Sequence, residues 1–172
     1  MIPSEKLRKI RALVLDIDGV LTDGGIGYDG ERTFKFFTYR DEHWIKMALR
    51  AGFIVGAISG AKSAANRQFT DGVGFSFCLE EMLNKLAGFE KVLSDWKLAP
   101  EECLYIGDDV IDMPPMRRAG VAVAVADAVP ELDEVADWRT RAPGGRGAVC
   151  EVIRELLAAC GKLDEALERY RQ

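Results

Sequence analysis

The sequence contains no apolar run long enough to cross a bilayer. The first such stretch, "ALVL" at residues 12 to 15, runs straight into aspartates and not into a small-residue cleavage site, so neither a membrane span nor a secretory leader is expected. Positive charge is also in short supply: 23 Lys and Arg stand against 28 Asp and Glu, for a formal net charge of −5. That balance argues against non-specific binding to nucleic acid or to an anionic membrane surface. Cysteine is sparse and lacks metal-ligand spacing. Cys78, Cys103, Cys150 and Cys160 read as reduced, mostly buried thiols of a cytoplasmic protein. Histidine occurs once, at His43. There is no internal repeat, linker or low-complexity tract, so residues 1–172 are expected to form one domain that buries roughly two thirds of its unfolded surface.

What the chain does have is an alternation of short apolar runs with helical periodicity. Residues 12 to 15, 53 to 58, 103 to 106 and 121 to 125 are nearly continuous in apolar character, as in parallel strands buried on both faces. Between them, Asp41 is placed to cap "EHWIKMALRA", with Trp44, Ile45, Ala48 and Leu49 on one face and Gly52 as the stop. "NKLAGFEKVLSDW" sets Leu86, Phe89, Leu93 and Trp96 on one stripe. Val149, Val152, Ile153, Leu156, Leu157 and Cys160 line a last helix that Gly161 ends. The polar residues 162–172 read as a tail. The pattern predicts an α/β fold, a Rossmann-like three-layer sandwich around a central parallel sheet.

The chemistry gathers at the strand ends. Asp16 and Asp18 follow the first run, Ser59 and Gly60 the second, Asp108 and Asp109 the third. In a parallel sheet the carboxyl ends of the strands share one edge, where ligands bind, so these residues should converge. Asp16 and Asp18 share one side of an extended segment and repel one another. Several carboxylates in one crevice call for a hard divalent cation, and an all-oxygen donor set favours Mg²⁺. An ionised aspartate can attack phosphorus without a separate base, and Mg²⁺ would offset its repulsion from a phosphate. The second aspartate could protonate the leaving oxygen and then activate water. Ser59 and Lys85 could hold the phosphate oxygens.

Two other motifs fail on context. "GIGYDG", residues 25 to 30, matches the dinucleotide pattern but is followed by "ERTFKFF", which reads as a strand and not a helix; a hairpin turning at Asp29-Gly30 fits better. An EF-hand loop beginning at Asp16 would put Val20 and Gly27 where oxygen ligands belong.

The motifs "DIDGV", "ISG", Lys85 and "GDDVID", in that order, resemble those of the haloacid dehalogenase superfamily of phosphohydrolases. The resemblance implies Asp16 as nucleophile, Asp18 as general acid/base, and Ser59, Gly60 and Lys85 on the phosphate. It also implies Mg²⁺ held by Asp16, the main-chain carbonyl of Asp18, and Asp108, with Asp109 and Asp112 beside the metal. Over nearly the whole chain, "DIDGVLTDGGIGYDGERTFKFF", "GDDVIDMPPMRRAGVAVAVADA", "RAPGGRGAVCEVIREL" and "GKLDEA" resemble the capless subfamily of 3-deoxy-D-manno-octulosonate 8-phosphate phosphatases of lipopolysaccharide precursor synthesis. That subfamily implies a homotetramer in which a short β-hairpin, here residues 26 to 37, replaces a cap domain, and the tail, residues 162–172, helps close a neighbour's site. The substrate implied is a small sugar acid phosphate.

The chain departs from the subfamily pattern in three places. Ala61-Lys62 follows "ISG" where arginine is usual, "DEHW" stands for "DGxG", and Cys150 replaces an arginine. These changes make Lys62, Arg146 and His43 the candidates for gripping the sugar acid. They also leave open a nine-carbon ulosonate phosphate as substrate, and from a different class a non-catalytic phosphate- or metal-binding module.

Overall fold

In a computed structural model, which describes residues 4–30 and 32–171, the run Ala12–Leu15 forms β1 near the middle of a six-stranded sheet. Its partners are β4 (Ile54–Ile58) and β6 (Cys103–Gly107), both parallel to it. Beyond β4 lies β5 (Phe77–Leu79); beyond β6 lie β7 (Val121–Ala124) and β8 (Trp138–Arg139). The chain thus leaves β1 for one side of the sheet and returns to the other. That makes the carboxyl end of β1 a topological switch point, where a crevice opens. The short strands β5 and β8 escaped the sequence reading because three half-buried residues and two residues are too few to show a period.

Side-chain alternation assigns each strand residue to a face. Leu13 and Leu15 join Leu104, Ile106, Val121 and Val123 against α1 (Ser4–Leu7), α2 (Tyr39–Arg50) and α6 (Ala148–Ala159), through Ile45, Ala48, Val152 and Ile153. Ala12 and Val14 join Tyr105 and Ala122 against α4 (Lys85–Trp96) and α5 (Met113–Arg118), through Phe89, Val92, Leu93 and Met116. Helices cover both faces, which is why β1, β6 and β7 are wholly buried and continuously apolar. Truncating a fully buried residue such as Leu15 to alanine costs about 2–5 kcal/mol.

Three local expectations need correction. The cap of α2 is Thr38, whose side chain accepts from Asp41 N; Asp41 is one turn inside. Its buried carboxylate instead accepts from Gly147 N at 3.1 Å and Cys150 N at 2.8 Å. It therefore caps α6, whose own N-cap, Gly147, has no side chain to do so. Trp96 is not on the buried stripe of α4, which runs through Lys85, Gly88, Phe89, Val92 and Leu93 and leaves Trp96 exposed. The polar C-terminal residues include a helix, α7 (Leu163–Glu168), tied back by Lys162 Nζ to Ala51 O at 2.7 Å.

Between β1 and α2 an antiparallel pair, β2 (Gly27–Asp29) and β3 (Arg32–Phe34), forms the predicted hairpin. Asp29 pairs with Arg32, so Asp29 belongs to the strand and the turn begins at Gly30; residue 31 lies outside the described residues. Tyr28 and Phe36 on this arm are 75% and 73% exposed. Among the described residues no helix is long and apolar enough to cross a membrane. The four cysteines are free, and only Cys103 is fully buried.

Candidate active site

The carboxyl ends of β1 and β6 bring three aspartates together. One carboxylate oxygen from each of Asp16, Asp108 and Asp112 lies within 4.8 Å of the others. Asp16 follows β1 directly and is anchored by its N–H on Ile106 O of β6. Asp108 follows β6, and Asp112 ends a single 3₁₀ turn that doubles back over the strand end. Lys85, at the first position of α4, completes the group: Nζ donates to Asp16 Oδ1 at 2.5 Å and Asp112 Oδ1 at 2.7 Å, with all three side chains almost fully buried.

Asp112 is the hub. Beyond Lys85, its Oδ1 accepts from the Tyr105 hydroxyl at 2.8 Å. Its Oδ2 accepts from Asp108 N at 3.1 Å and Asp109 N at 3.4 Å. One side chain thereby fixes both the lysine and the turn that carries Asp108. Asp109 is exposed, and its carboxylate accepts from Val110 N at 2.6 Å, outside the cluster.

The charges do not balance on protein groups alone. Burial, opposed by the Lys85 ammonium, pushes Asp16 up to about 7. Burial together with the neighbouring charges of Asp16 and Asp112 pushes Asp108 up to about 8. Lys85 itself is raised, the two carboxylates outweighing its desolvation. Asp16 and Asp108 are close enough to share a proton, an arrangement in which both can be charged only beside a cation. The donors are oxygens only, which fits Mg²⁺. Gly19 makes the approach possible: with φ at +99, a Cβ there would stand 2.0 Å from Asp108 Oδ2. The Asp108 carboxylate therefore lies directly against the turn that carries the Asp18 carbonyl.

Asp18, two residues beyond Asp16, is held separately. Lys35 Nζ lies 2.7 Å from its Oδ1 and 2.8 Å from its Oδ2, with the hydrogen bond aligned to Oδ2, so Oδ1 has an ion partner but no directed hydrogen bond. Ser59 is buried at the end of β4, its hydroxyl accepting from Ala61 N at 3.2 Å, and Gly60 follows at the start of the loop to α3 (Ala64–Val73).

The three substrate candidates stay outside this cluster. Lys62 is exposed and pairs with Glu81 at 3.2 Å. Arg146 is exposed, 3.6 Å from Asp23. His43 is exposed on α2 and lies edge-on to Tyr170, 5.2 Å between centroids. The "GGRG" loop does reach the site's wall, since a Cβ on Gly144 would meet Gly19 O at 1.7 Å.

Two residues at the site were missed from sequence. A tyrosine within the otherwise aliphatic run 103 to 106 was a usable signal, because a buried hydroxyl needs a partner. Lys35 gave none; between Phe34 and Phe36 it reads as a solvated strand lysine.

This geometry has counterparts among known proteins. Residues 61–153 match the model of the haloacid dehalogenase-like hydrolases. The chain is 45% identical over 163 residues to the 3-deoxy-D-manno-octulosonate 8-phosphate phosphatase of Escherichia coli (strain K12), covering 94% of this chain and 86% of the relative. The chain belongs to the haloacid dehalogenase-like hydrolases. Among solved structures, this hydrolase superimposes on the 3-deoxy-D-manno-octulosonate 8-phosphate phosphatase of Yersinia pestis with a TM-score of 0.91 at 35% identity, over 94% of this chain and 88% of that one. The corresponding phosphatase of Moraxella catarrhalis, solved with magnesium, phosphate and KDO, gives a TM-score of 0.94 at 28% identity, over 97% of each chain. These relatives are phosphatases, and this hydrolase is one as well.

Proposed function

We propose that this hydrolase is a Mg²⁺-dependent phosphomonoesterase acting on 3-deoxy-D-manno-octulosonate 8-phosphate through an aspartyl-phosphate. One observation carries the mechanism: Asp16, Asp108 and Asp112 converge at the switch point of the sheet, with Lys85 paired to Asp16 and Asp112. The relatives' substrate, on chains aligned over nearly their full length, supports the choice of ester.

Asp16 attacks phosphorus with a carboxylate oxygen as the bond to the sugar oxygen breaks. Lys85 sits against Asp16, where it faces the charge of the transferring group. Asp18 protonates the leaving oxygen, then removes a proton from the water that cleaves the acyl-phosphate. Ser59 and Gly60, at the carboxyl end of β4, hold phosphate oxygens. Asp16, the Asp18 carbonyl and Asp108 would hold Mg²⁺, which would supply charge neutralisation at the phosphoryl group. Asp112 positions rather than ligates; Asp109 belongs to the rim.

The chain acts as one hydrolase domain with residues 26–37 as a flap and 162–172 as a tail. It works as a homotetramer, a reading supported by the exposed Tyr28 and Phe36 of the flap and Tyr39 at the start of α2. A site without a cap leaves the acyl-phosphate open to water, and a neighbour's surface would close it. The free thiols favour a cytoplasmic setting.

The test is phosphate release with Mg²⁺ from eight- and nine-carbon ulosonate phosphates and hexose phosphates, with Asp16→Asn as blank. A dominant kcat/KM for the eight-carbon ester is expected. A preference for a nine-carbon ester would move the substrate, and activity surviving Asp16→Asn would remove the nucleophile. Light scattering at assay concentration should give four copies; a monomer with full activity would refute the shared closure.

A further inference from the structure

Lys35 follows β3 between Phe34 and Phe36, which are 45% and 73% exposed, yet its own side chain is 2% exposed. A buried ammonium is costly unless paired, and the fold surrounds this one with acceptors. Both oxygens of Asp18 lie within 2.8 Å, and Asn66 Oδ1, on α3, accepts at 3.0 Å. Asn66 is fully buried, and its amide is oriented by Nδ2 donating to Glu80 Oε1 at 3.3 Å. Glu80 is fixed in turn by Ser63 N at 2.9 Å and Arg67 Nε at 2.7 Å. A continuous polar path thus runs from the loop after β5, through α3, to the root of the hairpin, and ends on Asp18. Among the described residues Asp18 has no other side-chain partner.

We propose that Lys35 is a positioning residue for phosphoryl transfer, orienting Asp18 toward the leaving oxygen and making the hairpin part of the acid–base machinery. The inference rests on the role proposed for Asp18 above. In that step the Asp16 oxygen–phosphorus bond forms, the phosphorus–ester oxygen bond breaks, and the Asp18 proton passes to the departing oxygen. The carboxylate left behind faces the Lys35 ammonium. Orientation of the proton donor matters in proportion to the leaving group's need for a proton. Phenoxide needs one far more than nitrophenoxide, though the two esters have nearly the same shape.

The experiment compares phenyl phosphate with p-nitrophenyl phosphate at saturating Mg²⁺, using kcat/KM, which ends at transfer to Asp16. Lys35→Met should lose roughly tenfold more on phenyl than on p-nitrophenyl phosphate, a fraction of the 10²–10⁴-fold that acid catalysis contributes when the acid itself is removed. Lys35→Arg should recover most of the loss. Asn66→Leu, which leaves Lys35 in place, should show the same selectivity more weakly, and it covers the case in which Lys35→Met does not fold. Equal losses on both esters would mean a purely structural role and overturn the inference. If Asp18→Asn is selective for phenyl phosphate while Lys35→Met is not, this inference alone fails. If the wild-type enzyme with Mg²⁺ releases phosphate neither from these esters nor from the ulosonate phosphates, the proposed function fails and takes the inference with it.

Discussion

Replacing Tyr105 with phenylalanine removes one oxygen from the centre of the site and almost nothing else. The side chain is fully buried on β6, and the hydroxyl donates to Asp112 Oδ1 at 2.8 Å. Burial and the nearby Asp112 charge push its pKa well above the ordinary tyrosine value, so it remains a donor throughout the working range of pH. A hydrogen bond to a charged group contributes about 1.5–3 kcal/mol. Asp112 keeps Lys85, Asp108 N and Asp109 N, so no carboxylate is orphaned and the low end applies. At about 2–4 °C per kcal/mol for a chain of this size, melting of the metal-free protein should fall by about 3–6 °C. The catalytic effect follows from the same bond. With Asp112 less restrained, Lys85 and the Asp108 turn are both less well placed, and the Mg²⁺ concentration for half-maximal activity should rise severalfold while kcat falls. Thermal melting and Mg²⁺ titration of phosphate release read the two effects separately. A Tyr105→Phe protein that melts within about 1 °C of wild type with unchanged Mg²⁺ dependence would refute the hub role of Asp112.

Other perturbations probe different links. Gly19→Ala forces a Cβ into the Asp108 carboxylate at a φ of +99, so Mg²⁺ affinity and activity should fall together, activity by about 100-fold or more; isothermal titration with Mg²⁺ decides it. Asp41→Ala strips the cap from α6 and should cost about 2–3 kcal/mol in urea denaturation, a loss that Asn should partly recover and that leaves the Mg²⁺ requirement unchanged. Asp16 and Asp108 are raised to about 7 and about 8, so the metal-free folded state holds protons that the unfolded chain releases near pH 4. Its stability should therefore decline as pH rises from about 4 to 8. Added Mg²⁺ should offset that decline, with affinity increasing up to about pH 8. Melting curves at pH 5.5 and 8, with and without Mg²⁺, test the sign; greater metal-free stability at pH 8 would contradict it.

Much of this protein was legible before any coordinates. Runs such as "ALVL" and "VAVAV" are continuous because both faces of the sheet are covered, and burial on both sides leaves a mark in composition. Asp16, Asp108 and Lys85 could be placed because strand and helix ends are local events: a strand stops where its apolar residues stop, and a parallel sheet aligns those ends. What the local pattern could not supply was partnership across the chain. Asp41 looks like the cap of the helix it sits in, yet it caps one more than a hundred residues away. The family resemblance sets Asp112 beside the metal, but that Tyr105, Lys85 and two backbone amides all meet on it is not in the local pattern. Lys35 has the sequence context of an exposed strand lysine, and only the folding back of the hairpin encloses it with Asp18 and Asn66. Residue type and order therefore determine the fold class and the reactive ends of the strands, because those follow from periodicity over a few residues. Which charges neutralise which is decided only by tertiary structure, because buried electrostatics depends on distances between segments that the chain order does not encode.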